Sequence, residues 1–179
     1  RRSGSASRVF RIVTAGRLNE QKGFHFLIEA ITQLRSRHRD IEFRLAILGD
    51  GPRREKLERQ IAESDLRSTV HLTGFQDNAV AWYSSADVFV LPSLIEGMPN
   101  VLLEAMACGT PVISSDCPSG PAQILDGGRY GKLIPASSVE KLQDAIEATL
   151  LDTKTAERTA NAAQAHVAEN WSVQNATRQ

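Results

Sequence analysis

Apolar positions along this chain change rhythm again and again. Short β-type runs at residues 9–15, 43–48, 70–72, 88–91, 111–114 and 132–134 are separated by segments of helical period. Six such units predict a parallel sheet covered by helices on both faces, a doubly wound α/β fold of Rossmann-like type. Between the first two runs, Phe24, Leu27, Ile28, Ile31 and Leu34 recur at helical spacing, so one face of that helix packs on the sheet. Leu142, Ala145, Ile146, Thr149 and Leu150 repeat the pattern. Residues 156–170 are Ala-rich without Gly or Pro, so the chain ends in helix with Trp171 just beyond. Residues 1–7 have no apolar period and read as a linker or appended remnant, which puts the domain at 8–179.

In a doubly wound sheet ligands bind where strand ends lead into helix N-termini, which carry unpaired amides and partial positive charge. The segments to inspect are therefore 16–23, 49–52, 74–78, 92–100, 115–120 and 126–131.

Composition narrows the class. With 179 residues, 41% hydrophobic and 23% charged, the chain is expected to form one soluble domain. Its apolar runs are far short of the roughly 18 residues a membrane span requires, and no secretory start is expected. Twenty-one Lys+Arg balance 21 Asp+Glu, which argues against a dedicated nucleic-acid binder. The balance is global but not local: residues 1–60 hold 14 basic and 7 acidic side chains, and residues 61–179 hold 7 and 14. The basic runs at 35–39 and 53–56 read as solvated helix faces, with a basic surface for a membrane or partner as the alternative. Cys108 and Cys117 are too few for a disulfide scaffold or a thiolate zinc site and fit a reduced, cytoplasmic setting. His25, His38, His71 and His166 lack metal-binding spacing and receive no role.

Two loops carry candidate chemistry. Gly16-Arg17-Leu18-Asn19-Glu20-Gln21-Lys22-Gly23 frees the backbone at a strand end and flanks a short turn with two cations. Arg17 can grip two oxygens at once and Lys22 adds a point charge, so the pair suits a diphosphate without a metal. The run from Ala86 through Ser93 leads into Leu94-Ile95-Glu96-Gly97-Met98-Pro99-Asn100-Val101-Leu102-Leu103-Glu104. Gly97 allows close backbone approach, Pro99 suits a first helical turn, and the amides that follow can face an anion. Glu104 lies eight residues beyond Glu96. At about 1.5 Å of rise per residue, that helix reaches roughly a nucleoside's length from the phosphates. By contrast Gly49-Asp50-Gly51-Pro52-Arg53-Arg54 lacks the third glycine of a dinucleotide fingerprint and reads as a tight turn, and no P-loop pattern occurs.

Taken in order, Gly16-Arg17-Leu18 with Lys22-Gly23, Gly49-Asp50-Gly51-Pro52, Leu72-Thr73-Gly74-Phe75, the run from Ala86-Asp87 to Ser93, the pair Glu96 and Glu104, and Ala107-Cys108-Gly109-Thr110-Pro111-Val112-Ile113 resemble one family. The chain resembles the C-terminal, nucleotide-sugar-binding half of a retaining GT-B glycosyltransferase of the family 4 type, with its E-x7-E motif. The resemblance implies that Arg17 and Lys22 hold the donor diphosphate, that Glu104 takes the ribose hydroxyls, and that Glu96 lies by the donor sugar. It further implies that Gly97, Met98, Asn100 and Val101 supply helix-start contacts to the distal phosphate. Gly16 belongs to the diphosphate loop, and Gly74, Phe75 and Gln76 form the base-binding edge. Catalytic roles then fall to Arg17, Lys22 and Glu96, with no metal or other cofactor. The donor is expected to be a UDP-hexose, and the acceptor site belongs to an N-terminal half that 179 residues do not hold. A cytoplasmic enzyme, with room for peripheral association at the inner face of a membrane, follows from the same resemblance. Alternatives are a non-catalytic sugar-nucleotide binding module, a UDP-sugar epimerase and, disfavoured by the broken fingerprint, an NAD-binding domain.

Overall fold

The computed structural model describes residues 9–171. The expected linker at 1–7 and the tail after Trp171 lie outside them. Six strands form one sheet: β1 (Val9–Ala15), β2 (Glu42–Leu48), β3 (Val70–Gly74), β4 (Val88–Leu91), β5 (Val112–Asp116) and β6 (Lys132–Pro135). Seven helices connect and close them: α1 (Phe24–Arg37), α2 (Arg54–Glu63), α3 (Ala79–Ser84), α4 (Asn100–Ala107), α5 (Pro121–Ile124), α6 (Val139–Leu151) and α7 (Thr153–Asn170). The strand order is β3-β2-β1-β4-β5-β6 and every pairing is parallel. The six expected strands are all present, with ends shifted by a residue or two. Pro111, for example, precedes β5 and contributes only its carbonyl, which accepts from the Phe89 amide at 2.8 Å.

Alternation along the strands sends side chains into two separate cores. Ile12, Leu45, Val88, Val90 and Ile113 meet α1, α2 and α6, whereas Val13, Ala46, Phe89 and Leu91 meet α3, α4 and α7. Phe24, Leu27, Ile28, Ile31 and Leu34 are all buried, as the period of α1 requires. Complete burial of such a Leu or Ile side chain is worth about 1.5–3 kcal/mol each, so this stripe fixes α1 on the sheet and with it the loop that leads into the helix. On the other face Trp171 packs against the α4 and α7 cluster, so the end of α7 has a docking surface within this domain.

One expectation is corrected. Segment 126–131 does not follow a strand. Its short 3-10 turn at Asp126–Gly128 precedes β6, and a Cβ on Gly131 would lie 2.9 Å from the carbonyl of Val112, the first residue of β5. The segment therefore sits at the amino end of the sheet, away from the loops that can share a ligand.

Candidate functional site

The chain runs outward from β1 to β3, then returns to place β4 on the other side of β1. This reversal opens a crevice at the carboxyl ends of β1 and β4, the usual ligand position in such sheets. The loops that end there are stitched together by backbone. The Leu94 amide donates to the Gln21 carbonyl at 2.7 Å, joining the loop after β4 to the loop after β1. The loop after β2 supports the same turn, since the Leu18 amide donates to Asp50 at 2.9 Å and the Arg53 amide to Leu18 at 2.8 Å. A Cβ on Gly49 would lie 2.1 Å from the Gly16 carbonyl oxygen. The Gly49-Asp50-Gly51-Pro52 turn is thus a scaffold for the cationic loop.

Within the crevice Lys22 and Glu96 meet. Lys22 Nζ donates to Glu96 Oε1 at 2.6 Å, and the Glu96 side chain is only 7% exposed. The lysine is held by local geometry: the Asn19 side chain caps the 3-10 turn Glu20–Lys22 by accepting from the Lys22 amide at 3.2 Å. The lysine stem lies over Gly16, where a Cβ would sit 3.1 Å from Lys22 Cε. Arg17 is exposed and its side chain makes no ion pair or hydrogen bond among the described residues, leaving its guanidinium open to a ligand.

The remaining candidates fall on the rim of the crevice. Gly97, Met98 and Asn100 are exposed, and a Cβ on Gly97 would meet nothing within 4 Å. Pro99 is the residue before α4 rather than its first helical residue, and no side chain caps the helix start at Asn100 and Val101. The Asn100 amide already donates to the Met98 carbonyl at 3.0 Å, and an amide left uncapped there, such as that of Val101, suits an anion. Glu104 is exposed one turn further along α4. Its carboxylate neighbours the buried Tyr83 hydroxyl, and burial together with Glu104 pushes that phenol well above its ordinary value. The phenol therefore stays protonated and serves as a fixed donor.

At the end of β3, Gly74 has φ 74° and open space at its Cβ position. Phe75 is 80% exposed, which excludes a core role and leaves its ring on the surface. Gln76 is pinned rather than free: its amide nitrogen donates to Thr73 O at 3.0 Å and its oxygen accepts from Trp82 Nε1 at 3.3 Å. A base at this edge therefore finds the Gln76 backbone and the Phe75 ring.

Ser93, Tyr83 and Trp82 touch the candidate residues without having been singled out by sequence. Ser93 Oγ donates to Glu96 Oε1 at 2.5 Å. The sequence marked it only as the end of the run from Ala86, two residues beyond β4. Tyr83 and Trp82 sit on α3 and gave none, since aromatic residues on a helix ordinarily read as core. A separate cavity of about 670 Å³ near Arg35, Arg39 and Thr69 lies at the amino ends of β2 and β3, on the opposite side from these groups.

Comparison with known proteins agrees with this geometry. A family model described as "Glycosyl transferases group 1" matches residues 9–152. A putative colanic acid biosynthesis glycosyltransferase, WcaL of Salmonella typhimurium, is 34% identical over 177 residues, covering 94% of this chain and 43% of that protein. Anabaena HepE, solved in complex with UDP, superposes with a TM-score of 0.85 at 25% identity over 94% of this chain and 47% of that one. HepE has also been solved with UDP-glucose. The C-terminal domain of a glycosyl transferase group 1 family protein from Francisella tularensis shares the fold, with a TM-score of 0.80 at 24% identity over 92% of this chain and 87% of that one. The chain spans less than half the length of the curated relatives, 28% and 43% in two cases. Its strand order, its crevice and the match across residues 9–152 converge on one assignment: the chain belongs to the glycosyl transferases group 1 family, of the GT-B type.

Proposed function

We propose that residues 8–179 form the donor-binding half of a retaining, metal-independent glycosyltransferase that takes a nucleoside-diphosphate hexose. The observation that carries this reading is the contact of Lys22 with Glu96 at the strand-order reversal, 2.6 Å across two loops. A cation for phosphate and an acid for sugar stand side by side there, as the two ends of such a donor require.

Departure of the sugar builds negative charge on the distal phosphate and positive charge on the anomeric carbon. Arg17, Lys22 and the first amides of α4, around Gly97, Met98, Asn100 and Val101, meet the first change. Preorganised donors of this kind are typically worth about 3–4 kcal/mol each in the barrier. Glu96 positions the sugar, Glu104 takes the ribose hydroxyls, and Gly74, Phe75 and Gln76 border the base. Cationic side chains stand in for a divalent metal. The leaving phosphate itself receives the acceptor proton on the face it leaves, so no paired-carboxylate mechanism is invoked. UDP-glucose in HepE supports a UDP-hexose as the donor. The acceptor is held by a second, N-terminal half of the whole enzyme, which works in the cytoplasm or at the inner membrane face. No helix of the described residues is long and apolar enough to cross a membrane.

The test is calorimetry of this chain with UDP and GDP, followed by transfer assays beside the full-length protein. Donor binding without transfer is expected, because an acceptor held in line contributes about 7–11 kcal/mol that this half alone lacks. Transfer by the chain at the full-length rate, or no binding of either nucleotide, overturns the reading.

A further inference from the structure

Glu96 carries its two hydrogen bonds on one oxygen. Oε1 accepts from Lys22 Nζ at 2.6 Å and from Ser93 Oγ at 2.5 Å, while Oε2 makes no hydrogen bond among the described residues. The two donors differ in kind. Lys22 ends a long stem, is 20% exposed and faces the place proposed for a diphosphate. Ser93 is fully buried, two residues beyond β4. It follows Pro92, whose carbonyl abuts Gly23 of the cationic loop. Its hydroxyl therefore has a fixed origin, whereas the ammonium can swing.

We propose that Ser93 is a positioning residue for the donor sugar: by holding Oε1 of Glu96 it turns Oε2 toward the sugar hydroxyls, and it keeps doing so when the phosphate draws Lys22 away. The proposal rests on the reading of Glu96 as the sugar-facing acid and adds to it the group that sets the orientation of Glu96. A free glutamate loses rotamer freedom when it binds a ligand, and a hydroxyl that fixes it beforehand removes that cost. The loop after β5 braces the same acid from behind, since the Glu96 amide points at the Pro118 carbonyl at 3.4 Å. A mainly architectural serine would influence nucleotide and nucleotide sugar alike. A positioning serine influences only the part of the affinity that the sugar adds.

That difference is measurable on this chain by calorimetry with two probe pairs, UDP with UDP-glucose and GDP with GDP-mannose. The quantity read is the ratio of the nucleotide Kd to the nucleotide-sugar Kd for the pair that binds. Ser93→Ala is expected to lower this ratio about tenfold or more, the scale of one lost hydrogen bond to a charged group, while the nucleotide Kd stays within about twofold. Ser93→Cys, close in shape and with a weak donor, is expected to show the same loss and serves if the alanine variant does not fold. Ser93→Thr keeps the hydroxyl and is expected to restore the ratio. Glu96→Gln should lower the ratio as well, and adding Ser93→Ala to it should lower it no further. An unchanged ratio in both Ser93→Ala and Ser93→Cys overturns the proposal. Equal weakening of nucleotide and nucleotide sugar, a loss that adds in full to that of Glu96→Gln, or a wild-type ratio of one overturns it too. In each of these cases the nucleotide site stands. Failure of the wild-type chain to bind either probe pair removes the site reading and this proposal together.

Discussion

Gly23 and Pro92 touch backbone to backbone: a Cβ on Gly23 would lie 2.0 Å from the Pro92 carbonyl oxygen. Gly23 also has φ 64°, a left-handed conformation that other residues adopt at a cost. The contact locks the loop after β1 to the loop after β4 and keeps Lys22 within reach of Glu96. Gly23→Ala is therefore expected to destabilise the domain by about 2 kcal/mol or more. Urea denaturation measures this. A change below half a kcal/mol would contradict the locked contact.

The cationic loop gives a salt-dependent prediction. Arg17→Ala and Lys22→Ala should each weaken nucleoside-diphosphate binding about tenfold, the scale of a charge-assisted hydrogen bond. The loss should be larger at 20 mM than at 300 mM salt, since about 20 Å of screening length at low salt shrinks to several ångströms. Calorimetry at the two salt levels checks both points, and equal affinities for wild type and both variants would refute the phosphate site.

Glu104 and Tyr83 should act on the ribose alone. Glu104→Gln is expected to weaken UDP or GDP several-fold while leaving inorganic diphosphate nearly unchanged. Tyr83→Phe removes the hydroxyl that fixes Glu104 and should reproduce part of that loss. Competition by inorganic diphosphate separates the ribose from the phosphate contribution.

A pH dependence of stability follows from the α1–α6 contact. Glu147 on α6 bonds His38 at the end of α1 and Arg37 at 2.7 Å. The His38 bond, then Arg37, holds its carboxyl below the ordinary value of 4.5. A depressed folded-state value means that this stabilisation is full above 4.5 and is lost as pH falls from there through the folded value. Denaturant midpoints measured from pH 6 to 3 should decline, and Glu147→Gln should flatten that decline. An identical slope in the variant would remove Glu147 as the cause.

Metal removal should change little. With cations and helix amides meeting the phosphates, nucleotide affinity is expected to be the same in EDTA as in millimolar Mg²⁺ or Mn²⁺. A metal-dependent affinity abolished by EDTA would overturn the metal-free reading.

The hydrophobic period of this chain was sufficient to determine its elements. The stripe from Phe24 to Leu34 has one solution as an amphipathic helix, and short runs rich in β-branched and aromatic residues, such as Val88–Leu91, read as buried strands by length and residue type. Glycines at strand ends and the run of cations and acids were also legible, because loop chemistry is written locally. Residue type alone, however, left Glu96 and Phe75 open between a solvated or core role and a binding one. Tertiary structure removed the solvated reading of the first and the core reading of the second: Glu96 is nearly buried against Lys22 and Ser93, and Phe75 projects from the rim. It also moved 126–131 to the far side of the sheet and engaged the Gln76 amide with Trp82. The reason is that Lys22 and Glu96 are 74 residues apart, and only the strand order β3-β2-β1-β4-β5-β6 makes β1 and β4 neighbours. Local period specifies each element, but the order in which strands pair depends on non-local packing, and that packing sets which loops share one crevice.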